Sequence, residues 1–256
     1  MGTEMTDLET FFKDNPEVAI AFSGGVDSAY LLAVAKKVAK RVQPYYVRSE
    51  FQPEFELDDA KRLCKELNVE MKILTLSALS DENVKKNPSN RCYYCKKRIM
   101  GLIKEEAGKD GFSIVLDGTN ASDDALDRPG MKVLTEEHIC SPLKEAGLTK
   151  SQIRENSKAL GLFTWDKSAY ACLATRVPTG VEITIEILKA TEKAEAYLAS
   201  LGLKDLRVRY LSGFAKIELR KEDFPLLISN QDVIYSYLIK LYPNGVLLDL
   251  KVRNGH

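Results

Sequence analysis

Residues 17–28 read EVAIAFSGGVDS. Glu17 to Phe22 reads as a buried strand, its unbroken apolar run as expected of a strand covered on both faces. From Ser28 to Lys40 the apolar residues Leu31, Leu32, Val34, Ala35 and Val38 recur at helical spacing. Between strand and helix stand Ser23, Gly24, Gly25, Val26, Asp27 and Ser28. A strand that turns through glycines into a helix presents unpaired backbone N–H groups at the positive end of the helix dipole, which makes an anion site. Gly24 and Gly25 permit positive φ and close approach of a phosphate, and Ser23 and Ser28 add hydroxyl donors. The loop lacks the Gly-x4-Gly-Lys of a Walker A sequence and the third glycine of a dinucleotide fingerprint. Asp27 repels a bare phosphate but suits one that arrives with Mg2+, whose hard charge prefers carboxylate and phosphate oxygens.

The neighbouring sequence repeats the alternation. Strands are predicted at Gln43–Arg48, Glu70–Leu76 and Ser113–Asp117, with helices at Glu54–Leu67 and Lys96–Ala107. This order implies right-handed crossovers and an α/β fold with a parallel, doubly wound sheet. Ligands of such sheets lie beyond the carboxyl ends of the strands, where the SGGVDS loop and Asp117-Gly118-Thr119-Asn120 both fall. Residues 121–180 are less regular, with a helix expected over Lys150–Leu160 capped by Thr149. From about residue 181 the pattern changes to a helix over Ile185–Leu201, a hairpin turning at Ser212-Gly213, a helix over Phe224–Leu241 and a strand over Val246–Val252. That order predicts a smaller α+β domain over 181–256 behind a first domain of 1–180.

The chain has 256 residues, with 37 Lys plus Arg against 37 Asp plus Glu. This balance gives no global attraction to nucleic acid or to an anionic membrane. No apolar run reaches the roughly 20 residues of a membrane span, and the acidic start MGTEMTDLETFF lacks the order of a secretion signal. A cytoplasmic location is the expectation.

Of the five cysteines, Cys64 lies on an apolar helix face and Cys140 precedes Ser141-Pro142, so both read as structural. Cys92 and Cys95 form a Cys-x-x-Cys pair, and Cys172 follows in Ala171-Cys172-Leu173-Ala174. The pair suits a redox couple, half a zinc site or part of an iron–sulfur site. Three thiolates with an open fourth position suit a 4Fe-4S cluster. Arg207 and Arg209 alternate on one strand and so share a face that suits an anionic substrate; a solvated face is the plainer reading. For Glu195 an exposed helical position is the plainer reading beside a metal or substrate contact. The same holds for an acidic loop with a local ion pair at Asp123, Asp124 and Arg128. Trp165 suits either a nucleotide or the core.

SGGVDS resembles the pyrophosphate loop of the ATP pyrophosphatase (PP-loop) superfamily. With CYYCKKR, DGTNASDDALDRPG, SPLKEAGLTKSQIR and WDKSAYACLATRVPTG in one order, the chain resembles the LarE family from about residue 17 to 220. The resemblance implies an adenine nucleotide alpha hydrolase-like fold and ATP-dependent sulfur transfer to a nucleotide substrate, pyridinium-3,5-biscarboxylic acid mononucleotide, on the way to a nickel-pincer cofactor. ATP and Mg2+ would be held by Ser23, Gly24, Gly25, Val26, Asp27, Ser28, Asp117, Gly118 and Asn120. Cys172, Asp27 and Arg176 would be catalytic, with Arg176 a cation near the sulfur. Cys92, Cys95 and Cys172 would hold a 4Fe-4S cluster in the three-cysteine variant, whereas other members sacrifice the sulfur of the single cysteine. Arg207, Arg209 and Glu195 would contact the substrate. A symmetric homo-oligomer is implied, for which Ile234, Leu238 and Leu241 offer an apolar helix face, as is handover to a nickel-inserting protein. A tRNA thiolase of the same superfamily and an ATP-binding module without turnover are the alternatives.

Overall fold

The computed structural model describes residues 7–123 and 130–253. In chain order its elements are α1 (Asp7–Asp14), β1 (Glu17–Ala21), α2 (Val26–Val38), β2 (Arg41–Arg48), α3 (Glu54–Glu66), β3 (Lys72–Thr75), α4 (Glu82–Lys85), α5 (Arg91–Lys109), β4 (Val115–Leu116), α6 (Met131–Glu136), α7 (Pro142–Glu145) and α8 (Lys150–Ala159). They continue with α9 (Ile185–Ser200), β5 (Arg207–Leu211), β6 (Phe214–Glu218), α10 (Phe224–Ser229), α11 (Gln231–Leu238) and β7 (Gly245–Leu248). The chain divides into two compact units. The first is Met1–Ser49, Glu54–Ser77 and Asn90–Lys167, and the second is Glu50–Pro53, Ala78–Ser89 and Ser168–His256. Asp124 and Arg128 lie outside the described residues.

In the first unit the sheet runs β3-β2-β1-β4, and every pairing is parallel. Successive side chains of a strand point to opposite faces. Val18 and Ile20 of β1 therefore enter one core with Phe12 of α1, Leu31 and Leu32 of α2, and Leu63 of α3. Ala19 enters the other, with Tyr45, Met100, Ile103 and Val133. The sheet is thus doubly wound, as expected. Ile20, Leu31 and Leu32 are wholly buried, so truncating any of them to alanine costs about 2–5 kcal/mol. This rigid centre is what fixes the end of β1, where the SGGVDS loop begins.

Helix α5 starts at Arg91, five residues before the expected start, so Cys92 and Cys95 lie in its first turns. Thr149 caps α8 in a full capping box with Gln152.

In the second unit, β5 and β6 form an antiparallel hairpin and β7 joins β6 in parallel. Ser212 and Gly213 both have positive φ, 48° and 85°, as a two-residue turn matched to strand twist requires. The expected helix over Phe224–Leu241 is instead α10 and α11, broken at Asn230. Its side chain donates to the Leu226 carbonyl, and its backbone leaves the helical region. Ile234 and Leu238 are buried in this unit's own core with Leu198, Val208 and Ile217, and Leu241 packs against that core. These three residues are therefore not a free oligomer face. The expected strand Val246–Val252 stops at Leu248.

Candidate active site

The loop after β1 has the conformation its residues suggest. Gly24 sits at φ 74°, and a Cβ there would stand 3.2 Å from the Ala60 Cβ of α3, so helix and loop are in close packing. Gly25 is the N-cap of α2 and supplies no side-chain cap, so the first-turn N–H groups have no capping oxygen from that position. The Ser23 and Ser28 hydroxyls lie 3.1 Å apart, and Ser28 Oγ donates to the Gly25 carbonyl at 3.2 Å. These contacts tie the two hydroxyls to the loop and to each other.

The loop after β4 closes on the same point. A Cβ on Gly118 would come within 2.9 Å of the Ser28 backbone N and 3.2 Å of its Cα. Asp117 is buried and accepts from the Thr119 hydroxyl at 2.6 Å and the Ser141 hydroxyl at 2.7 Å, with Lys96 Nζ at 3.6 Å. Asn120 is buried as well. Its side chain donates to Asp123 and accepts from the Ser122 N–H, so it organises the loop. Ser122 Oγ in turn accepts from the Lys150 N–H at 2.9 Å, which docks the start of α8 onto this loop.

That docking places a residue the sequence reading treated only as a helix start. Lys150 Nζ donates to Asp27 Oδ2 at 2.6 Å. The other carboxylate oxygen, Asp27 Oδ1, is buried and has no hydrogen-bond partner among the described residues. An orphaned, anionic acceptor beside an uncapped helix end calls for a cation, so these residues fit Mg2+ accompanying a polyphosphate. Burial pushes the Asp27 carboxyl up, Lys150 opposes the rise by hydrogen bond and charge, and the charge of Asp123 adds to it. Protonation competes with Mg2+ for this carboxylate. Lys150→Met removes the opposing cation, and is expected to weaken Mg2+-ATP binding by roughly tenfold at neutral pH. The loss of binding on acidification should also begin at higher pH than in the parent protein; calorimetric titration between pH 5 and pH 8 measures both effects.

The second unit carries Cys172. It is the N-cap of the 3-10 turn Leu173–Arg176 and its side chain is partly exposed. Arg176 is 1% exposed. It donates from Nε to Glu195 Oε1 at 2.9 Å, from Nη2 to Glu195 Oε2 at 3.1 Å, and from Nη1 to the Ala171 carbonyl at 2.7 Å. Glu195, for which exposure was the plainer reading, is buried. Arg207 is also buried and donates to the Leu206 and Ala169 carbonyls, both at 2.7 Å. Arg209 pairs with Glu218 at 2.6 Å and donates to the Thr175 carbonyl. Neither arginine belongs to a plain solvated face. The sequence reading also missed Tyr170, whose hydroxyl donates to Glu195 at 2.6 Å. Burial and the neighbouring Glu195 charge push that hydroxyl far above its ordinary range and keep it a proton donor.

Cys92 is exposed, and Cys95 lies one helical turn along α5, partly buried. Among the described residues, no three His, Cys, Asp or Glu side chains gather into a group able to hold a metal ion. Cys92 and Cys95 belong to the first unit and Cys172 to the second. Cys64 and Cys140 take structural places, as expected. Burial pushes the Cys64 thiol up to about 11, and Cys140 forms a parallel bridge to Leu116 beside β4. Trp165 is covered by Lys158 at 4.6 Å. No described helix is long and apolar enough to cross a membrane.

A parallel doubly wound sheet that ends in this loop defines a PP-loop nucleotide-binding domain. Residues 17–87 match the family model of the queuosine biosynthesis protein QueC. The chain is 34% identical over 252 residues to the pyridinium-3,5-bisthiocarboxylic acid mononucleotide synthase of Lactiplantibacillus plantarum, covering 98% of this chain and 91% of that one. It is 35% identical to an uncharacterised protein of Synechocystis sp., over 98% of this chain and 95% of that one. An NH(3)-dependent NAD(+) synthetase of Campylobacter jejuni is 27% identical over 57% of this chain and 59% of its own. The chain belongs to the LarE family of ATP-dependent sulfur transferases.

Proposed function

We propose that this chain activates a carboxylate of pyridinium-3,5-biscarboxylic acid mononucleotide with ATP and replaces its oxygen with sulfur, for a nickel-pincer cofactor. The observation that carries the reading is the orphaned Asp27 oxygen beside Lys150 in the SGGVDS loop, within a chain matched along 98% of its length by the named synthase. A carboxylate is a poor electrophile because its charge repels a nucleophile. Attack of its oxygen on the α-phosphorus expels pyrophosphate and leaves an acyl-adenylate. Sulfide, or the Cys172 thiolate, then adds to the acyl carbon and AMP leaves; sulfide gives the thiocarboxylate directly, whereas the thiolate gives a thioester whose Cβ–S bond breaks with loss of the Cα proton, leaving the thiocarboxylate and dehydroalanine. Mg2+, when bound, neutralises the departing pyrophosphate. Asp27 would hold it, Lys150 would follow the freed negative charge, and the N–H groups of Gly25 and Val26 with the Ser23 and Ser28 hydroxyls would cradle the phosphates. Asp117 and Asn120 would keep the second loop in place, and Arg207 and Arg209 would lend charge to the phosphate of the substrate. The test is pyrophosphate release that depends on the biscarboxylate, with a thiocarboxylate detected by mass. Release without that substrate, or with tRNA instead, would refute the reading.

The three-cysteine form with a 4Fe-4S cluster on Cys92, Cys95 and Cys172 is the finer reading. It is supported by the one-turn spacing of two accessible thiols and by the third cysteine in the Ala171-Cys172-Leu173-Ala174 block. Anaerobically purified protein is expected to be brown with about four irons per chain. Colourless protein with all three thiols intact after anaerobic reconstitution would count against it. Homo-oligomerisation and handover of product to a nickel-inserting protein belong to the same proposal.

A further inference from the structure

Within the second unit, four consecutive residues ahead of the 3-10 turn are each tied to a neighbouring side chain. The Ala169 carbonyl accepts from Arg207 at 2.7 Å, and the Tyr170 hydroxyl donates to Glu195 at 2.6 Å. The Ala171 carbonyl accepts from Arg176 at 2.7 Å, and the Cys172 carbonyl accepts from the Thr175 hydroxyl at 2.8 Å. The Tyr170 ring carries the Arg176 guanidinium at 4.5 Å and that of Arg207 at 4.9 Å. The ties of Tyr170 and Arg176 lead to Glu195. Its Oε1 accepts from Arg176 Nε and from the Val208 N–H, each at 2.9 Å, and its Oε2 accepts from Tyr170 and from Arg176 Nη2. A carboxylate has about four lone-pair sites, and four donors occupy them. No site remains for a metal ion or a substrate hydroxyl unless a bond breaks.

A buried ion pair adds little net stability compared with apolar residues of the same volume. Its use here matches a need for one fixed geometry. We propose that Tyr170, Arg176 and Glu195 form a latch of positioning residues that fixes the Cys172 sulfur, and that Glu195 ligates neither metal nor substrate in this chain. The role assigned to the sulfur rests on the sulfur-transfer reading above; the latch itself is tested without it.

The experiment uses the full chain, purified in air with its thiols reduced, and measures labelling of each cysteine by iodoacetamide through peptide mass mapping. Exposed Cys92, in the other unit, is the internal reference. Glu195→Gln presents an amide to donors and should raise the Cys172-to-Cys92 labelling ratio by about tenfold through local opening. Tyr170→Phe removes one hydroxyl and should raise it by about threefold. Arg176→Lys lacks the two-pronged fork and should not preserve the parent ratio. In sulfur transfer, Tyr170→Phe should lower kcat by about the same factor as the labelling change while leaving the KM for ATP within about twofold. Mn2+ titration of Glu195→Gln should match the parent. If Glu195→Gln does not fold, as judged by thermal melting, Tyr170→Phe decides alone. An unchanged labelling ratio in folded Tyr170→Phe, or loss of Mn2+ binding in Glu195→Gln, would overturn the latch. Absence of any thiocarboxylate from the parent protein would overturn the functional reading instead and leave the labelling result standing.

Discussion

Cys172→Ala is expected to abolish thiocarboxylate formation, by a factor on the order of 1000 or more, while substrate-dependent pyrophosphate release continues. On the proposed reading the two half-reactions use different parts of the chain. Adenylation would use the loop from Ser23 to Ser28 with Asp27 and Lys150, all in the first unit. Sulfur delivery would use the thiol of Cys172, at the N-cap of the turn Leu173–Arg176 in the second unit. On the proposed reading Cys172 is either the sulfur donor itself or one of the three cluster ligands, so the substitution disables either form of delivery. Intact-protein mass after one turnover then separates them. A sacrificial thiol becomes dehydroalanine, and the chain loses about 34 Da, the mass of hydrogen sulfide. Sulfur carried on a cluster leaves the chain mass unchanged. A Cys172→Ala variant that still forms thiocarboxylate at the parent rate would remove this residue from the chemistry altogether.

The parts of this fold that were legible in the sequence are those where local pattern and packing agree. The run Val18–Phe22 is apolar because both faces of β1 are covered, and Gly24 stands where φ must be positive. Thr149 announces α8 because an N-cap is a local device, and the structure adds Gln152 to complete a capping box. Long-range pairings were not legible. Lys150 reaches Asp27 across 123 residues, and nothing near Thr149 in the sequence marks it as more than a helix start. The Arg176–Glu195 pair was hidden for another reason. Charged residues are rarely buried, so a glutamate on a helix reads as exposed until its four donors are seen. The helix break at Asn230 was present as Ser229-Asn230, but a helical apolar pattern continues through it, and side-chain capping decides the matter.

The strongest test of the nucleotide site is a single methyl group. Gly118→Ala would set a Cβ 2.9 Å from the Ser28 backbone N, 3.2 Å from its Cα and 3.4 Å from the Asp27 carbonyl carbon. All three are backbone atoms at the start of α2, and none is the free end of a side chain that could swing aside. Either the loop after β4 retreats or the first turn of α2 moves. The second course is opposed by Leu31 and Leu32, wholly buried on the same helix. Overpacking of this kind costs about 1–3 kcal/mol, a shift that thermal melting detects. The larger effect should fall on function. Asp117, Asn120 and Ser122 hold the loop that docks Lys150, and Lys150 holds Asp27. A displaced loop therefore carries the cation away from the carboxylate as well as the donors from the phosphates. A misplacement of about 1 Å at a reacting group costs on the order of 100-fold in rate, so substrate-dependent pyrophosphate release should fall by at least that factor in Gly118→Ala. Gly147→Ala serves as the comparison. Its Cβ would meet nothing within 4 Å, but its φ of 66° strains the backbone, so it should lose stability with the nucleotide chemistry nearly intact. Equal loss of activity in the two variants would show that the close approach of Gly118 to Ser28 does not govern the site.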